Sequence, residues 1–191
     1  MPRLPRLAAA LLYVALAAAA NPAAALTAAE RAGLDALRVG DMRKLVVADE
    51  GTAASDLPLL GRDGSETTLA GRPGRLRLVN FWATWCAPCR KEMPSLAGLA
   101  AARPDLGLVL VATGRNDPAA IDRFAEEVGI PGLDTLLDPR GRVAAAMGVP
   151  GLPVSVLLDG DGAEIARLLG EADWNAPEAQ AVVDYLLALP Q

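Results

Sequence analysis

The chain has no histidine anywhere in its 191 residues, and only two cysteines. A tetrahedral zinc site built from one chain therefore has too few soft ligands to draw on. There is no excess of positive charge either: 18 Lys and Arg face 23 Asp and Glu, for a net charge of −5. The only bases in the first 26 residues are Arg3 and Arg6, with no acid among them; removing those two charges leaves the remainder at −7. An acidic body of this kind gives no support for nucleic-acid binding. It is also repelled by anionic lipid, so any membrane attachment must come from the N-terminus. Long apolar runs are missing as well, except for Leu7–Ala20. That run is shorter than the roughly 20 residues a spanning helix needs.

The chemistry is concentrated where those two cysteines fall. Leu76–Trp82 (LRLVNFW) is apolar and β-prone enough for a buried strand. Cys86-Ala87-Pro88-Cys89 follows at once, and the residues after it read as a helix. A Cys-x-x-Cys on the first turn of a helix beside a strand is the pattern of a dithiol–disulfide redox site. Unpaired N–H groups at a helix start favour a thiolate there. Cys86 gains most and should be the more exposed, which makes it the expected nucleophile. Cys89, one turn on, is within reach to close a disulfide and to resolve a mixed disulfide. Pro88 suits a first turn, where its missing N–H has no helical partner. A purely structural bridge would close so few residues that it would constrain the unfolded chain little. A third reading is a Cu(I)-binding and delivery module, with the two thiolates as ligands and Met93 or Met147 assisting.

The run Asn80-Phe-Trp-Ala-Thr-Trp-Cys-Ala-Pro-Cys-Arg-Lys-Glu-Met-Pro94 resembles the active site of the TlpA/ResA/CcmG-type thioredoxin-like proteins, the TlpA type above all. These are exported, often membrane-tethered thiol–disulfide oxidoreductases that reduce disulfides in bacterial envelope proteins. The likeness covers about Ser55 to the C-terminus and implies a thioredoxin fold: a central mixed β-sheet flanked by helices. Where cytosolic thioredoxin carries a buried aspartate, this chain has Asn80, which cannot take a proton. Glu92 stands at the position of a functional glutamate in the family, and at helical spacing it shares a side with Cys89. Burial would raise its pKa and let it act as base for Cys89; the alternative is a solvated glutamate paired with Arg90 or Lys91. The family's cis-proline corresponds to Pro153 rather than Pro150, and the backbone before it, here Leu152, presents itself to an extended substrate segment. With the exposed neighbours of the thiols, Trp85, Ala87 and Pro88, Leu152 makes up the substrate-binding set that the resemblance implies, and Cys86, Cys89, Glu92 and Pro153 the catalytic one. No cofactor and no metal is expected. Implied substrates are apocytochrome c or the copper-site proteins of oxidases, and the implied electron donor is a CcdA/DsbD-type membrane carrier.

Three segments are expected. Residues 1–26 form a signal peptide or membrane anchor: a basic start, the apolar run, and Ala-x-Ala triplets suited to cleavage. The body is then periplasmic, secreted or tethered to the inner membrane. Residues 27–54 form an N-terminal extension with no evident chemistry. It begins with the capping box Thr27-x-x-Glu30, has Gly40 placed to end its helix, and continues into an edge strand near Lys44–Ala48. Residues 55–191 form the thioredoxin-like domain. Within it, Leu57–Gly74 reads as a hairpin covering a sheet edge. Leu106–Ala112 reads as a second buried parallel strand, and Asp117-Pro118 starts a helix carrying Ile121, Phe124, Ala125 and Val128. Leu133–Leu137 and Arg142–Met147 supply a short strand and helix resembling the subfamily's insertion. Pro153 leads into the strand Val154–Leu158, which a proline at its start suggests is an edge or follows a special turn. The turn Asp159–Gly162, the strand Glu164–Leu169 and a helix over about Pro177–Leu189 close the chain.

Overall fold

The computed structural model describes residues 26–49, 52–130 and 134–190. Residues 1–25 of the expected N-terminal leader, residue 133 of the expected strand, and residues 50 and 51 of the 49–54 loop lie outside the described residues. Thr27 caps α1 (Ala28–Ala36) through the reciprocal capping box, its own N–H donating to Glu30 Oε2 at 2.8 Å. The helix stops earlier than Gly40. Leu37 closes it by donating its N–H to the Leu34 carbonyl. Gly40, at φ 54°, instead opens a 3-10 helix, Gly40–Lys44, that buries Met42.

Eight described strands make one mixed sheet: β1 (Leu45–Val47), β2 (Leu59–Leu60), β3 (Glu66–Thr67), β4 (Leu76–Trp82), β5 (Leu106–Thr113), β6 (Thr135–Asp138), β7 (Val154–Asp159) and β8 (Glu164–Leu169). Their spatial order is β1-β8-β7-β4-β5-β6-β2-β3. β4, parallel to β5 and antiparallel to β7, is buried along its whole length, as its near-continuous apolar sequence requires. The β2–β3 hairpin forms one sheet edge and β1 the other, both as expected. β7 is an interior strand, so of the two readings of a proline at its start the special turn is the one realised.

The period-2 alternation of the strands divides the apolar residues between two cores. Leu76, Leu78 and Trp82 of β4 pack with Cys89, Met93, Leu96 and Leu99 of α2 (Ala87–Ala102). The same core takes Ile121 and Phe124 of α3 (Pro118–Glu127), and Val182, Val183 and Leu186 of α5 (Pro177–Ala188). Val79 and Phe81 face the other way, toward Val143 and Met147 around α4 (Arg142–Ala146). Asn80 shares parity with Leu78 and Trp82, and Ser155 of β7 shares parity with Leu157 of the first core. Both therefore face α2. This is a thioredoxin-like fold, and its alternation aims two polar groups of adjacent strands at the helix that carries the cysteines.

Candidate active site

The helix α2 begins where β4 ends. Ala83, Thr84 and Trp85 turn the chain, Cys86 is the N-cap, and Pro88 occupies the first turn. Cys86 and Cys89 are joined as a disulfide, with Cα atoms 5.3 Å apart. The Cys89 N–H also donates to Cys86 Sγ at 3.3 Å, so a backbone donor of the first turn is aimed at that sulfur. Cys86 retains 6% of its surface and Cys89 none. Trp85, 65% exposed, and the exposed Ala87 and Pro88 surround the pair on the outside.

Pro153 is buried, and the Leu152–Pro153 bond is cis. Phe81 pairs with Val154, so Pro153 stands one register step further on, beside Trp82 and the start of the active-site turn. Leu152 is half-buried and touches both cores. The loop before it is held from β8: Arg167, paired with Glu164, donates to the carbonyls of Met147 and Gly148.

Glu92 is 3% exposed and is not a solvated glutamate; Arg90 pairs with Glu127 and Lys91 with Glu171 instead. Its Oε1 accepts from Asn80 Nδ2 at 2.8 Å and its Oε2 from the Ala172 N–H at 3.1 Å. Asn80 Nδ2 also donates to Ser155 Oγ at 2.9 Å, while Asn80 Oδ1 is buried without a partner. The Trp174 indole N–H bears on the same carboxylate without reaching hydrogen-bond geometry. Burial pushes the Glu92 pKa from the usual 4.5 up to about 7, against the opposing pull of the Asn80 and Ala172 donors. A carboxyl group poised near neutrality one turn beyond a buried cysteine can accept and return a proton.

Three contributors escaped the sequence reading. Asn116, in the loop after β5, accepts from the Thr84 N–H at 2.8 Å and from Thr84 Oγ at 3.1 Å, and donates to the Thr113 carbonyl. It ties the turn that carries Trp85 and Cys86 to the C-terminal end of a parallel strand, a position where sites commonly gather. Ser155 and the Ala172 N–H complete the setting of Glu92. Met93 and Met147 lie in separate cores on opposite faces of the sheet, so they do not converge on the two sulfurs.

Two cysteines that can exchange a disulfide for two thiols, on a framework that holds them at a helix start, define a thioredoxin-fold thiol–disulfide oxidoreductase. Comparison with known proteins leads to the same class. The chain belongs to the Redoxin family, whose sequence profile matches residues 15–184. It is 33% identical over 141 residues to the thiol:disulfide interchange protein HelX of Rhodobacter capsulatus, covering 73% of this chain and 78% of that one. It is 35% identical over 125 residues to a thiol:disulfide interchange protein DsbE homolog of Paracoccus denitrificans, covering 65% and 67%. Among solved structures, a secreted Mycobacterium tuberculosis disulfide oxidoreductase superposes with a TM-score of 0.55 at 26% identity, covering 70% of this chain and 96% of that one.

Proposed function

We propose that the protein reduces disulfides in proteins of the bacterial envelope, with Cys86 as attacking thiolate, Cys89 as resolving thiol and Glu92 as the base for Cys89. The observation that carries this reading is the Cys86–Cys89 pair at the N-terminus of α2, with the buried Glu92 one turn further along. In the reduced protein, Cys86 thiolate attacks a substrate disulfide, forms a mixed disulfide and releases one substrate thiolate. Glu92 takes the Cys89 proton. Cys89 then attacks Cys86 Sγ, the second substrate thiolate leaves, and the Cys86–Cys89 disulfide remains. Two electrons have passed to the substrate. An oxidising periplasm cannot restore them, so the dithiol is regenerated by a membrane donor of the CcdA/DsbD type.

Trp85, Ala87 and Pro88 form one side of the substrate contact, and the Leu152 backbone before the cis-proline the other. Substrates are the haem-attachment cysteines of apocytochrome c or copper-site cysteines of oxidase subunits. The acidic body favours positively charged partner segments through encounter rate. The protein works in the periplasm, secreted or held at the inner membrane by residues 1–26; no described helix is long and apolar enough to cross a membrane.

Expression of Cys89→Ser in the envelope should accumulate covalent adducts that a reducing agent releases, and their identity names the substrate. Cys86→Ser should give far fewer. Equal adducts from both, or none from either, overturn the assignment of roles. An insulin-reduction assay beside a Cu(I) titration separates this reading from copper delivery: stoichiometric Cu(I) binding without insulin reduction would favour the latter.

A further inference from the structure

Glu92 is buried, yet a base whose protonation follows the pH of the medium must exchange protons with water. The structure offers a path. A cleft of about 320 Å³ is lined by Glu92 and Ser95 of α2, by Asp41 and Lys44 of the 3-10 helix, and by Glu171 and Asp173 of the segment after β8. Neither cysteine lines it, so it is separate from the surface where substrate meets Cys86.

Its walls are tied together by charge. Lys44 Nζ lies 2.9 Å from Asp41 Oδ1 and donates to the Glu171 carbonyl at 2.6 Å. Asp41 Oδ2 accepts the Asp173 N–H at 3.0 Å, and Lys91 Nζ lies 2.7 Å from Glu171 Oε1. The Ala172 N–H between these anchors is the donor to Glu92 Oε2. From the sheet side, Asn80 and Ser155 face Glu92 and are neutral, and the Glu171 carboxylate whose charge acts on Glu92 stands in the cleft. Surface ion pairs of this kind add little to stability. They nevertheless pin the 3-10 helix to the segment after β8, and the charged opening lies between this joined wall and α2.

We infer that this cleft is the proton port of Glu92, and that Asp41, Lys44, Lys91 and Glu171 are positioning residues that keep it open and set the charge Glu92 meets there. The inference rests on the reading of Glu92 as the base for Cys89. It assigns a role to the N-terminal extension, which delivers Asp41 and Lys44. The Glu171 carboxylate opposes a second negative charge on Glu92, and Lys91 compensates it.

The test uses the full chain and follows, against pH, the rate at which a preformed mixed disulfide on Cys86 is resolved by Cys89, together with the carboxyl infrared band of Glu92. Glu92→Gln should abolish that band and flatten the rate profile; a profile with an unchanged midpoint would overturn the role of Glu92 itself. With that role standing, Glu171→Gln should move the midpoint to lower pH and Lys91→Met to higher pH. Lys44→Trp, which places an indole at the mouth, should slow resolution severalfold and enlarge its solvent deuterium effect. Lys44→Met serves as the control that removes the same charge without filling the opening. Midpoints unmoved by the two charge variants, or Trp and Met at position 44 giving equal rates and isotope effects, would overturn the port and leave the role of Glu92 intact.

Discussion

Asn80 Nδ2 donates to Glu92 Oε1 at 2.8 Å and to Ser155 Oγ at 2.9 Å, so one amide on β4 orients the carboxylate of α2 and a hydroxyl of β7 together. An aspartate in its place would put two carboxyl groups in one dry pocket, where they could not both ionise and would titrate as a coupled pair. The amide supplies orientation without competing for the proton. Asn80→Ala should therefore cost about 1–3 kcal/mol through the lost buried hydrogen bonds and raise the Glu92 pKa further. Asn80→Asp should keep the size of the side chain and split the pH profile of disulfide resolution into two steps. Denaturant titrations and stopped-flow kinetics check both. A profile for Asn80→Asp that matches wild type would mean that Asn80 and Glu92 are uncoupled.

Glu92 also makes folding stability depend on pH. Its folded pKa, about 7, lies above the ordinary 4.5, so between those values the native state holds a proton that the unfolded chain has lost. The unfolded state binds fewer protons there, and stability falls as pH rises through the window. The shift corresponds to about 3 kcal/mol between pH 4 and pH 8. Chemical denaturation at a series of pH values should show this decline in wild type, and Glu92→Gln should remove most of it. Parallel curves for the two proteins would contradict the burial argument.

Most of the framework could be read from the residues because its signals are local. The continuous apolar run 76–82, the capping box at Thr27 and the Cys-x-x-Cys at a helix start each specify their own surroundings. What could not be read is long-range. Nothing near Glu92 in sequence says that Ala172 will donate to it from 80 residues away, or that Asp41 and Lys44 will stand at its cleft. The end of α1 is not legible in the sequence because Gly40 has two uses. The same positive φ that ends a helix also lets a new turn begin, and burial of Met42 decided in favour of the latter.

Asn116 anchors the active-site turn through Thr84. Asn116→Ala leaves the Thr84 N–H without that acceptor and should cost about 1–3 kcal/mol. Because the freed turn carries Trp85 and Cys86, insulin reduction should fall severalfold. Asn116→Asp keeps an acceptor for Thr84 and should retain more activity than alanine. Equal activity in the two variants would show that the anchor does not act through the Thr84 bonds.

Arg3 and Arg6 before a short apolar run lead to the expectation that everything after Leu26 is translocated. A reporter that works only outside the cytoplasm, fused after residue 30, should be active. Cell fractionation then separates a cleaved, released body from a tethered one. An inactive fusion that accumulates in the cytoplasm would refute export.

Cys86 sits at the N-cap of α2, and the Cys89 N–H points at its sulfur. The first-turn N–H groups of a helix stabilise a thiolate relative to a thiol, by hydrogen bonding and through the positive end of the helix dipole. Histidine cannot contribute, since the chain has none. The geometry supplies activation by the helix start and the peptide groups around it. In Cys89→Ser the backbone N–H at that position remains, so the Cys86 thiolate should still be favoured, with a pKa below the free value of about 8.5. Thiolate absorbance followed against pH measures it. Replacing Pro88 with alanine returns an N–H to the first turn without removing the others, and should leave the Cys86 pKa low. If the Cys86 pKa in Cys89→Ser were at or above the free value, the sulfur would not be an activated nucleophile, and attack on a substrate disulfide would have to begin elsewhere.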